Sequence, residues 1–437
     1  MLEQCPRPAP GEAIHPSGHV PHVHTAGVGA GPANLSLAAL FEAVAPDRIA
    51  LFEQQSGPGW HDPLLHGGVR MQTAWLKDLV STVDPTHRLS FLNYLVTGGR
   101  LFTFLNAQYD SVPRLEYVRY LNWAAERLGV VRYGVRVDEV AFEADRFTLR
   151  AGGELLATSD HVVFSLGTVP RVPDCFHGLS EDVAVVPERL AARVPAFQAL
   201  ADQPVAVVGD GQTGAEAVIA LMDRGFHDIR WIGGKPWFTP LDDSPSANEF
   251  YRPAYPEFLH GLLREQRRQM VATHRITSDG ISSGTLRTIY QRNYDALLTG
   301  GHAPVRLLPG RTVVAARSAG ESLRLTCVAG GRSQVIAVRW AVLATGRAPA
   351  PLPIAGELFD QLELTDEGDL VVDEDYSVPW KRGEQNRIFM FNRATATHGR
   401  ADANLSLLPA RSATVINSLF GREIYPVHDG YRTTEWL

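Results

Sequence analysis

The feature that most constrains this chain is a strand, glycine turn and helix that occurs twice. The first copy leads from a short strand at residues 22–26 through GVGAGPAN into LSLAALFEAV, and RIALFEQ follows as a second strand. The second copy begins at Pro204 with VAVVGDGQTGAEAVIALMDRG, and IRWIGG follows. Each pattern is typical of a β-α-β unit that opens a parallel nucleotide-binding sheet. The sequence therefore predicts an α/β fold with two Rossmann-like dinucleotide-binding domains.

These units are accompanied by two further strands, each of which runs into a glycine turn. Their sequences are HVVFSLGTVPRVP and RWAVLATGRAPAP. The segment 239–300 differs, because it is rich in Pro, aromatic and charged residues and then becomes helical. We therefore expect a flexible tail over 1–21, an FAD-binding domain over 22–170 and 336–437, an NADPH-binding domain over 171–238 and 301–335, and a small, mostly helical substrate-binding insertion over 239–300.

Composition excludes several classes of function. The 437 residues are 45% apolar and 20% charged, which indicates a globular chain. A net charge of −7 and the lack of a long basic run argue against nucleic-acid binding. We find neither a membrane-length apolar stretch nor a secretory signal, so we expect no membrane association. Three scattered cysteines form no disulfide framework, CxxC pair or zinc site, which favours a cytoplasmic protein without a metal.

The N-terminal segment contains His15, His19, His22 and His24. These histidines could in principle hold a metal, but we interpret the segment as a polar arm.

The first glycine turn predicts a dinucleotide site. Gly29 permits the tight turn, and Gly31 lets a pyrophosphate approach the backbone where a helix starts near Pro32. Asn34 replaces the third glycine of the usual fingerprint. Glu53 follows Gly29 by 24 residues, at the end of the second strand. A carboxylate at that position accepts hydrogen bonds from ribose hydroxyls.

The second glycine turn matches the fingerprint in full. Its residues are Gly209, Gly211 and Gly214, with Gln212 and Thr213 opening the helix. No acidic residue ends the second strand. Arg230 and Lys235 lie there instead, and a cation suits the 2′-phosphate of NADPH better than the bare ribose of NADH. Either cation is alternatively a solvated surface charge.

Two dinucleotides in one chain indicate FAD and NADPH, with hydride passing from nicotinamide to flavin. A dithiol acceptor is missing because there is no CxxC, so dioxygen becomes the expected acceptor and a monooxygenase the expected class. FHGLSED resembles the start of a signature found in other flavin monooxygenases, but Asp182 stands where the histidine is expected. That difference argues against the branches that oxidise ketones and sulfides.

Longer motifs connect these turns. They read GVGAGPANLSLAAL, MQTAWLKDLVSTVDPT, FLNYL, EYVRYLNWAAERL, GDGQTGAE, FTPLDDSPSANEF, TSDGIS, VLATG and THGRADANLSLLPARSATVINSLFG. Together they extend from about His22 to Arg422, and they resemble the N-hydroxylating flavoprotein monooxygenases of siderophore biosynthesis. This family comprises the L-lysine N6- and L-ornithine N5-monooxygenases. The resemblance also covers the unusual asparagine of the first glycine turn.

The resemblance implies roles for four residues. Gln72 would lie on the flavin side of the active site, as a catalytic and FAD-binding residue. Lys77 would pair with the carboxylate of an amino-acid substrate, and Asn248 would hold its α-amino group. Ser406 would lie near the flavin and the reactive end of the substrate. Without the surrounding motifs, each residue has a simpler explanation. Lys77 could be a surface lysine, Asn248 a turn residue and Gln72 a helix cap.

The implied reaction is N-hydroxylation of a terminal primary amine. NADPH reduces FAD, dioxygen adds at flavin C4a, and the amine attacks the distal oxygen of this hydroperoxide. The nucleophile is the neutral amine, although a lysine side chain has a reference pKa of about 10.4, so the site must favour deprotonation. The family also implies a homo-oligomer, a tetramer or a dimer.

L-lysine is the first substrate we expect, with L-ornithine or a diamine such as cadaverine or putrescine as alternatives. TSDGIS resembles the lysine branch, and SANEF resembles the ornithine branch. RITSDGISSG offers no equivalent of the second substrate asparagine of ornithine enzymes. A flavin reductase with another acceptor and a non-catalytic redox sensor are weaker alternatives, because they leave MQTxxLKD and NLSLLPARSA unexplained.

Overall fold

A computed structural model describes residues 20–60, 69–109, 111–366, 368–427, 429–431 and 433–436. Most of the expected tail, residues 1–19, lies outside the described residues. The strands are β1 His22–Val28, β2 Ile49–Phe52, β3 Val131–Arg132, β4 Glu139–Glu143, β5 Arg146–Ala151, β6 Glu154–Phe164, β7 Thr168–Pro170, β8 Ala184–Val185, β9 Val205–Val208, β10 Ile229–Ile232, β11 Val305–Leu308, β12 Thr312–Ala319, β13 Ser322–Ala329, β14 Arg332–Val338, β15 Trp340–Leu343, β16 Arg347–Pro349 and β17 Ile388–Met390.

The helices alternate with these strands and also fill the segment between β10 and β11. They are α1 Pro32–Val44, α2 Phe91–Thr97, α3 Leu101–Asn106, α4 Arg114–Leu128, α5 Pro187–Phe197, α6 Gln212–Met222, α7 Pro245–Asn248, α8 Ala254–Gly261, α9 Arg264–Thr273, α10 Ser283–Leu298, α11 Gly356–Phe359, α12 Thr395–His398 and α13 Leu408–Phe420. In the part of the chain that is described, no helix combines the length and the apolar character needed to cross a bilayer.

The first sheet contains the first predicted β-α-β unit. Its parallel part has the order β3-β2-β1-β6-β17, and the antiparallel strands β5 and β4 extend it beside the start of β6. Val28 pairs with both Phe52 and Phe164, and Phe164 also pairs with Met390. The carboxyl ends of four parallel strands therefore form one level edge. Dinucleotides bind at such edges.

The second sheet is entirely parallel, with the order β11-β10-β9-β15-β8. Helix α6 connects β9 to β10, which confirms the second predicted β-α-β unit. A separate antiparallel sheet, β12-β13-β14, lies between β11 and β15 in sequence. The two parallel sheets have different buried cores. This is the predicted α/β fold with two Rossmann-like sheets.

The return of the chain to the first sheet differs from our expectation. We placed the start of the second FAD segment at residue 336, but Trp340–Leu343 pairs with β9 in the second sheet. The chain returns to the first sheet at Ile354, which forms an isolated parallel bridge with Val140 of β4, and then adds a strand beside β6 at Ile388–Met390. The physical reason is that all four residues of β15 are buried, and a continuous apolar strand of this kind fits the interior of either parallel sheet.

A buried ion pair fixes the segment between β17 and α13. The Asp402 carboxylate accepts hydrogen bonds from the backbone N–H groups of Asn392, at 3.2 Å, and Ala394, at 2.7 Å. Arg411 Nη1 lies 3.4 Å from Asp402 Oδ1 and donates to Asn392 Oδ1 at 3.0 Å. Both charged side chains are almost fully buried. Asp402 therefore connects the loop after β17 to the final helix.

Replacement of Asp402 by alanine is expected to lower the free energy of unfolding by about 3–5 kcal/mol, because it leaves the Arg411 charge buried without its carboxylate partner. Chemical denaturation of the cofactor-free protein measures this change. Glu265→Gln is the control, since its pair with Arg268 is largely exposed and is worth less than about 1 kcal/mol. Equal losses in the two variants would contradict a stabilising role of the buried pair.

Candidate functional site

The first glycine turn is shaped by two glycines at close contacts and one at an open position. Gly29 has φ +90°, and a Cβ there would lie 2.6 Å from the carbonyl oxygen of Ser165. A Cβ on Gly31 would meet no atom within 4 Å. Gly31 precedes α1, which Pro32 opens, so the free N–H groups of the helix start face open space. This geometry fits a pyrophosphate group such as that of FAD.

Asn34 takes over the closing role of the third glycine. Its Nδ2 donates to the carbonyl oxygen of Gly29 at 2.7 Å, and the side chain is fully buried. Gly27 makes room for it, because a Cβ there would lie 3.0 Å from Asn34 Nδ2 and would overlap the Leu51 side chain. Gly27 was not among the predicted site residues, although its position two residues before Gly29 was an available signal.

Glu53 lies directly after β2 at the same edge. Its two carboxylate oxygens accept from the backbone N–H groups of Ala30, at 3.0 Å, and Gln55, at 2.9 Å. Each oxygen keeps a lone pair for a ribose hydroxyl. A recess opens beside Glu53 and is lined by Ala30, Pro32, Leu35, Glu53, Pro58, Gly59, Trp60, Leu121, Asn122, Ala125 and Tyr133. Burial raises the pKa of Tyr133 to about 12, so its hydroxyl stays protonated.

The second glycine turn is packed more tightly than the first. Gly209 has φ +133°, and a Cβ there would overlap the carbonyl group of Ala344. A Cβ on Gly214 would lie 2.5 Å from the carbonyl oxygen of Gly209, which also accepts from Trp231 Nε1 at 2.8 Å. Gly211 is again open, with no atom within 4 Å of a Cβ. The residues therefore fit a second pyrophosphate, that of NADPH.

Gln212 and Thr213 follow Gly211 at the start of α6. The Gln212 side chain is engaged within the protein, because Oε1 accepts from Ser282 N at 2.8 Å and Nε2 donates to Glu216 Oε1 at 3.0 Å. Glu216 in turn pairs with Arg114 at 3.2 Å, which connects α6 to α4. Gln212 thus offers a ligand its backbone N–H, while its amide holds the insertion against the turn.

The three cations near the end of β10 differ in their partners. Arg230 forms a two-bond pair with Asp228, at 2.6 and 2.7 Å, and this pairing raises its pKa. Lys235 Nζ has a single carboxylate contact, with Asp210 at 3.4 Å. Arg311 was not predicted. Its backbone N–H donates to Gly233 at 2.8 Å, its Nε is buried without a partner, and it forms no ion pair with any described residue.

The segment that contains Lys77 is fixed by the neighbouring residue, Asp78. The buried Asp78 carboxylate accepts from the backbone N–H groups of Val80, Ser81 and Phe91 at 2.6–2.9 Å. This cap fixes the LKDLVS segment. Lys77 is partly buried, forms no ion pair with any described residue, and has its pKa lowered by desolvation. Gln72 lies earlier in the same segment and is exposed.

Asn248 ends the short helix α7 and is exposed. Its Nδ2 donates to the carbonyl oxygens of Asp243 and Ser244, each at 3.2 Å, so its Oδ1 remains free to accept. The following residues connect the insertion to the C-terminal segment, because Tyr251 packs in one cluster with Ala401 and Leu407. Leu407 is the neighbour of Ser406.

Ser406 is buried immediately before α13, with its N–H donating to Asn404 Oδ1 at 2.8 Å. The helix behind it is tied to the Lys77 segment. Ser412 on α13 donates to Ser36 on α1 at 3.1 Å, and Ser36 donates to the carbonyl oxygen of Leu79 at 2.6 Å. These bonds bring the segments of Lys77, Ser406 and Asn248 onto one framework. The four predicted substrate-side residues form no hydrogen bonds with each other within the described residues.

The TSDGIS motif has a structural explanation. A Cβ on Gly280 would overlap the backbone of Leu241, so the loop packs against the chain with no space for a side chain. Asp279 accepts from Arg275 at 2.8 Å and lies 3.7 Å from Arg400 Nη1. The motif therefore docks the insertion onto the 399–401 segment, and its resemblance to the lysine branch says little about substrate choice.

A separate cavity of about 570 Å³ lies between α8, α13 and the C-terminal segment. Its polar lining includes Glu257, Glu374, Asp375, His398 and Asp429, and none of the four predicted substrate-side residues lines it. In the described part of the chain, no group of three or more His, Cys, Asp and Glu side chains could hold a metal ion.

Comparisons with known proteins agree with this geometry. Residues 22–348 match the family described as L-lysine 6-monooxygenase/L-ornithine 5-monooxygenase. The chain is 31% identical over 425 residues to L-lysine N6-monooxygenase of Escherichia coli, covering 94% of this chain and 97% of that one.

Two solved structures are also similar. One is a cadaverine monooxygenase of Erwinia amylovora bound to FAD, with a TM-score of 0.87, 26% identity and coverage of 95% of this chain and 98% of that one. The other is an ornithine N-hydroxylase of Kutzneria sp. 744 with reduced FAD, NADP⁺ and L-ornithine, with a TM-score of 0.85, 27% identity and coverage of 92% and 99%.

The two turn glycines Gly209 and Gly211 provide a matched pair of variants. Gly209→Ala is expected to lower the free energy of unfolding by about 2–5 kcal/mol, because the new Cβ meets Ala344 at a positive φ. Gly211→Ala is expected to cost no more than about 1 kcal/mol and to weaken NADPH binding. Denaturation of the cofactor-free protein and NADPH titration test both. Similar stability losses in the two variants would contradict the assignment of Gly209 to a crowded position and of Gly211 to an open one.

The pairing of the cations predicts which of them discriminates NADPH from NADH. Lys235→Ala or Arg311→Ala is expected to raise the KM for NADPH about tenfold or more, because a charge-assisted bond to the 2′-phosphate is lost. The KM for NADH should stay within about twofold. Arg230→Gln is the control, since the guanidinium of Arg230 already forms two hydrogen bonds with Asp228. A large loss confined to NADPH in Arg230→Gln would instead assign the phosphate to Arg230.

Proposed function

The chain belongs to the L-lysine 6-monooxygenase/L-ornithine 5-monooxygenase family, and from this premise we propose that it N-hydroxylates the terminal amine of L-lysine. Members of this family are FAD- and NADPH-dependent flavin N-monooxygenases, and this enzyme is one of them. The family acts on lysine, ornithine or diamines for siderophore biosynthesis. The choice among these amines is the part that we propose.

The observation that carries the proposal is the state of Lys77. A partly buried ammonium without a carboxylate partner in the described residues is unfavourable, because desolvation is not compensated by a counter-charge. The carboxylate of an amino acid provides that charge. A diamine has no anionic group and would add a second cation. Lys77 therefore favours an amino acid over cadaverine or putrescine.

The other substrate contacts follow from the free atoms of the site. Asn248 Oδ1 accepts from the α-amino group, since both donors of its amide are already bonded to backbone carbonyls. Ser406 lies two residues before α13 and orients the reactive end of the amine. Together with Lys77, these groups fix the α-carbon and leave the side chain to extend toward the flavin.

Bound FAD, once reduced by NADPH, supplies the activation of dioxygen. The Gly31 turn and Glu53 hold FAD, with Gln72 on its flavin side, and the Gly211 turn holds NADPH. The protein provides no nucleophile of its own, because the neutral amine of the substrate is the attacking group. Its contribution is to position this amine, to favour loss of its proton by desolvation, and to exclude water.

We also propose that the chain divides into FAD-, NADPH- and substrate-binding segments, with β15 in the NADPH-binding part, that it forms a homo-oligomer and that it is cytoplasmic. L-ornithine and diamines are the alternative substrates. A diamine is favoured by one observation, the high structural similarity to a cadaverine monooxygenase. L-ornithine is supported by the similarity to an ornithine N-hydroxylase.

The decisive experiment measures hydroxylamine formation alongside NADPH oxidation, with FAD present. L-lysine, L-ornithine, cadaverine and putrescine are compared. Coupled product with L-lysine at the highest kcat/KM supports the proposal, and a higher value with any other amine overturns it. NADPH oxidation that yields only hydrogen peroxide with all four amines would mean that the enzyme hydroxylates a different nucleophile.

Lys77→Met tests the carboxylate contact. The KM for L-lysine is expected to rise about tenfold or more, because a charge-assisted hydrogen bond is lost, while the KM for NADPH changes little. Turnover of cadaverine, which has no carboxylate, should be unaffected or improved. Lys381→Met is the matched control, since Lys381 is exposed. An unchanged KM for L-lysine in Lys77→Met would remove Lys77 from this role.

A further inference from the structure

Arg393 lies at the edge of the first sheet where the FAD turn also lies. It is the third residue after β17, whose last residue pairs with Phe164 of β6. Phe164 pairs on its other side with Val28, the residue before Gly29. Adjacent strands are about 4.8 Å apart, so the chain at β17 and the glycine turn are separated by about 10 Å along this edge. A dinucleotide extends across such a distance.

The position of Arg393 in the chain is firmly fixed. The backbone N–H groups of both neighbours, Asn392 and Ala394, donate to the buried carboxylate of Asp402. Asn392 also has φ +63° and accepts from Arg411 through its side chain. The loop therefore presents the Arg393 side chain from a rigid backbone.

The guanidinium of Arg393 forms no ion pair or hydrogen bond with any residue in the described ranges, and the side chain is partly buried. Its Nη2 is buried and unbonded. Burial alone lowers its pKa, and no carboxylate opposes that shift. A cation in this state is costly to keep unless a ligand supplies a counter-charge.

The contrast with Arg411 separates a structural arginine from this one. Arg411 is more deeply buried, but it pairs with Asp402 and bonds to Asn392. Arg393 lies next to Asn392 in the loop after β17 and forms neither kind of contact with a described residue. Nε and Nη2 of Arg411 are also buried without a hydrogen bond, so the difference between the two arginines is the carboxylate partner, which Arg411 has and Arg393 lacks among the described residues.

We propose that Arg393 binds an anionic oxygen group of a bound ligand at the carboxyl edge of the first sheet. Two such groups belong to this enzyme: the diphosphate of FAD and the carboxylate of an amino-acid substrate. The planar guanidinium binds either through two parallel hydrogen bonds. The second possibility rests on the proposed function, whereas the first requires only that the protein binds FAD.

Three variants test the proposal. Arg393→Gln removes the charge, Arg393→Lys keeps it, and Arg317→Gln is the matched control, because Arg317 is exposed on a different sheet. For each we would measure the melting temperature of the FAD-free protein, the Kd for FAD from flavin fluorescence, and the KM for L-lysine and cadaverine at saturating FAD.

The melting temperature separates ligand binding from a structural role. Arg393→Gln is expected to leave the melting temperature of the FAD-free protein unchanged or higher, because it removes an uncompensated buried charge. If FAD is the source of the anion, the Kd for FAD rises about tenfold or more, and Arg393→Lys restores part of the loss. If the substrate is the source, the Kd for FAD is unchanged and only the KM for L-lysine rises by this factor.

The proposal is overturned if Arg393→Gln matches Arg317→Gln in both ligand constants, or if it only lowers the melting temperature of the FAD-free protein. FAD titration involves no amine. Failure of the wild-type protein to hydroxylate L-lysine would thus reject the proposed function without deciding the role of Arg393 toward FAD.

Discussion

Both dinucleotide sites depend on the close approach of a glycine turn to the end of the neighbouring strand. At Gly29 the neighbour is the carbonyl of Ser165, and at Gly209 it is the carbonyl of Ala344. Because neither contact tolerates a Cβ, these glycines set the path of the backbone. Gly31 and Gly211 then face open space at the start of a helix, where free N–H groups meet an anion. Each turn therefore combines a glycine in a crowded position, which sets the path of the backbone, with a glycine in an open position, which leaves space for the dinucleotide.

The substrate side is assembled by polar contacts that are long-range in sequence. Ser36 connects the carbonyl of Leu79 to Ser412, and so ties the segment after Lys77 to the helix that follows Ser406. Asp279 and Tyr251 dock the insertion onto the same C-terminal region. None of these bonds touches a reacting atom. They hold the segments of Lys77, Ser406 and Asn248, for which we propose substrate contacts, so a substitution in these bonds is expected to act through the geometry of those segments.

The sequence was sufficient for the fold because both β-α-β units carry local signals, with apolar strands, glycine turns and apolar helices in register. The sequence was insufficient for residues whose interaction partner lies far away along the chain. The role of Asn34 depends on Gly27 and on the carbonyl of Gly29, and Trp340–Leu343 could have entered either sheet. Arg230 and Lys235 read alike in the sequence, yet one has a two-bond carboxylate partner and the other a single contact. Pairing of charges is a tertiary property, so no spacing rule predicts it.

The same property separates structural from ligand-directed cations. Asp402 pairs with the buried Arg411, and Asp228 pairs with the partly buried Arg230. A partly buried cation that lacks such a partner is unfavourable in the protein alone. Within the described residues, Lys77 and Arg393 are both in this state, on segments held by the buried carboxylates of Asp78 and Asp402. Binding of an anion, which we propose for both, would compensate the charge without any rearrangement of the backbone, and the desolvation already present would make each new hydrogen bond stronger.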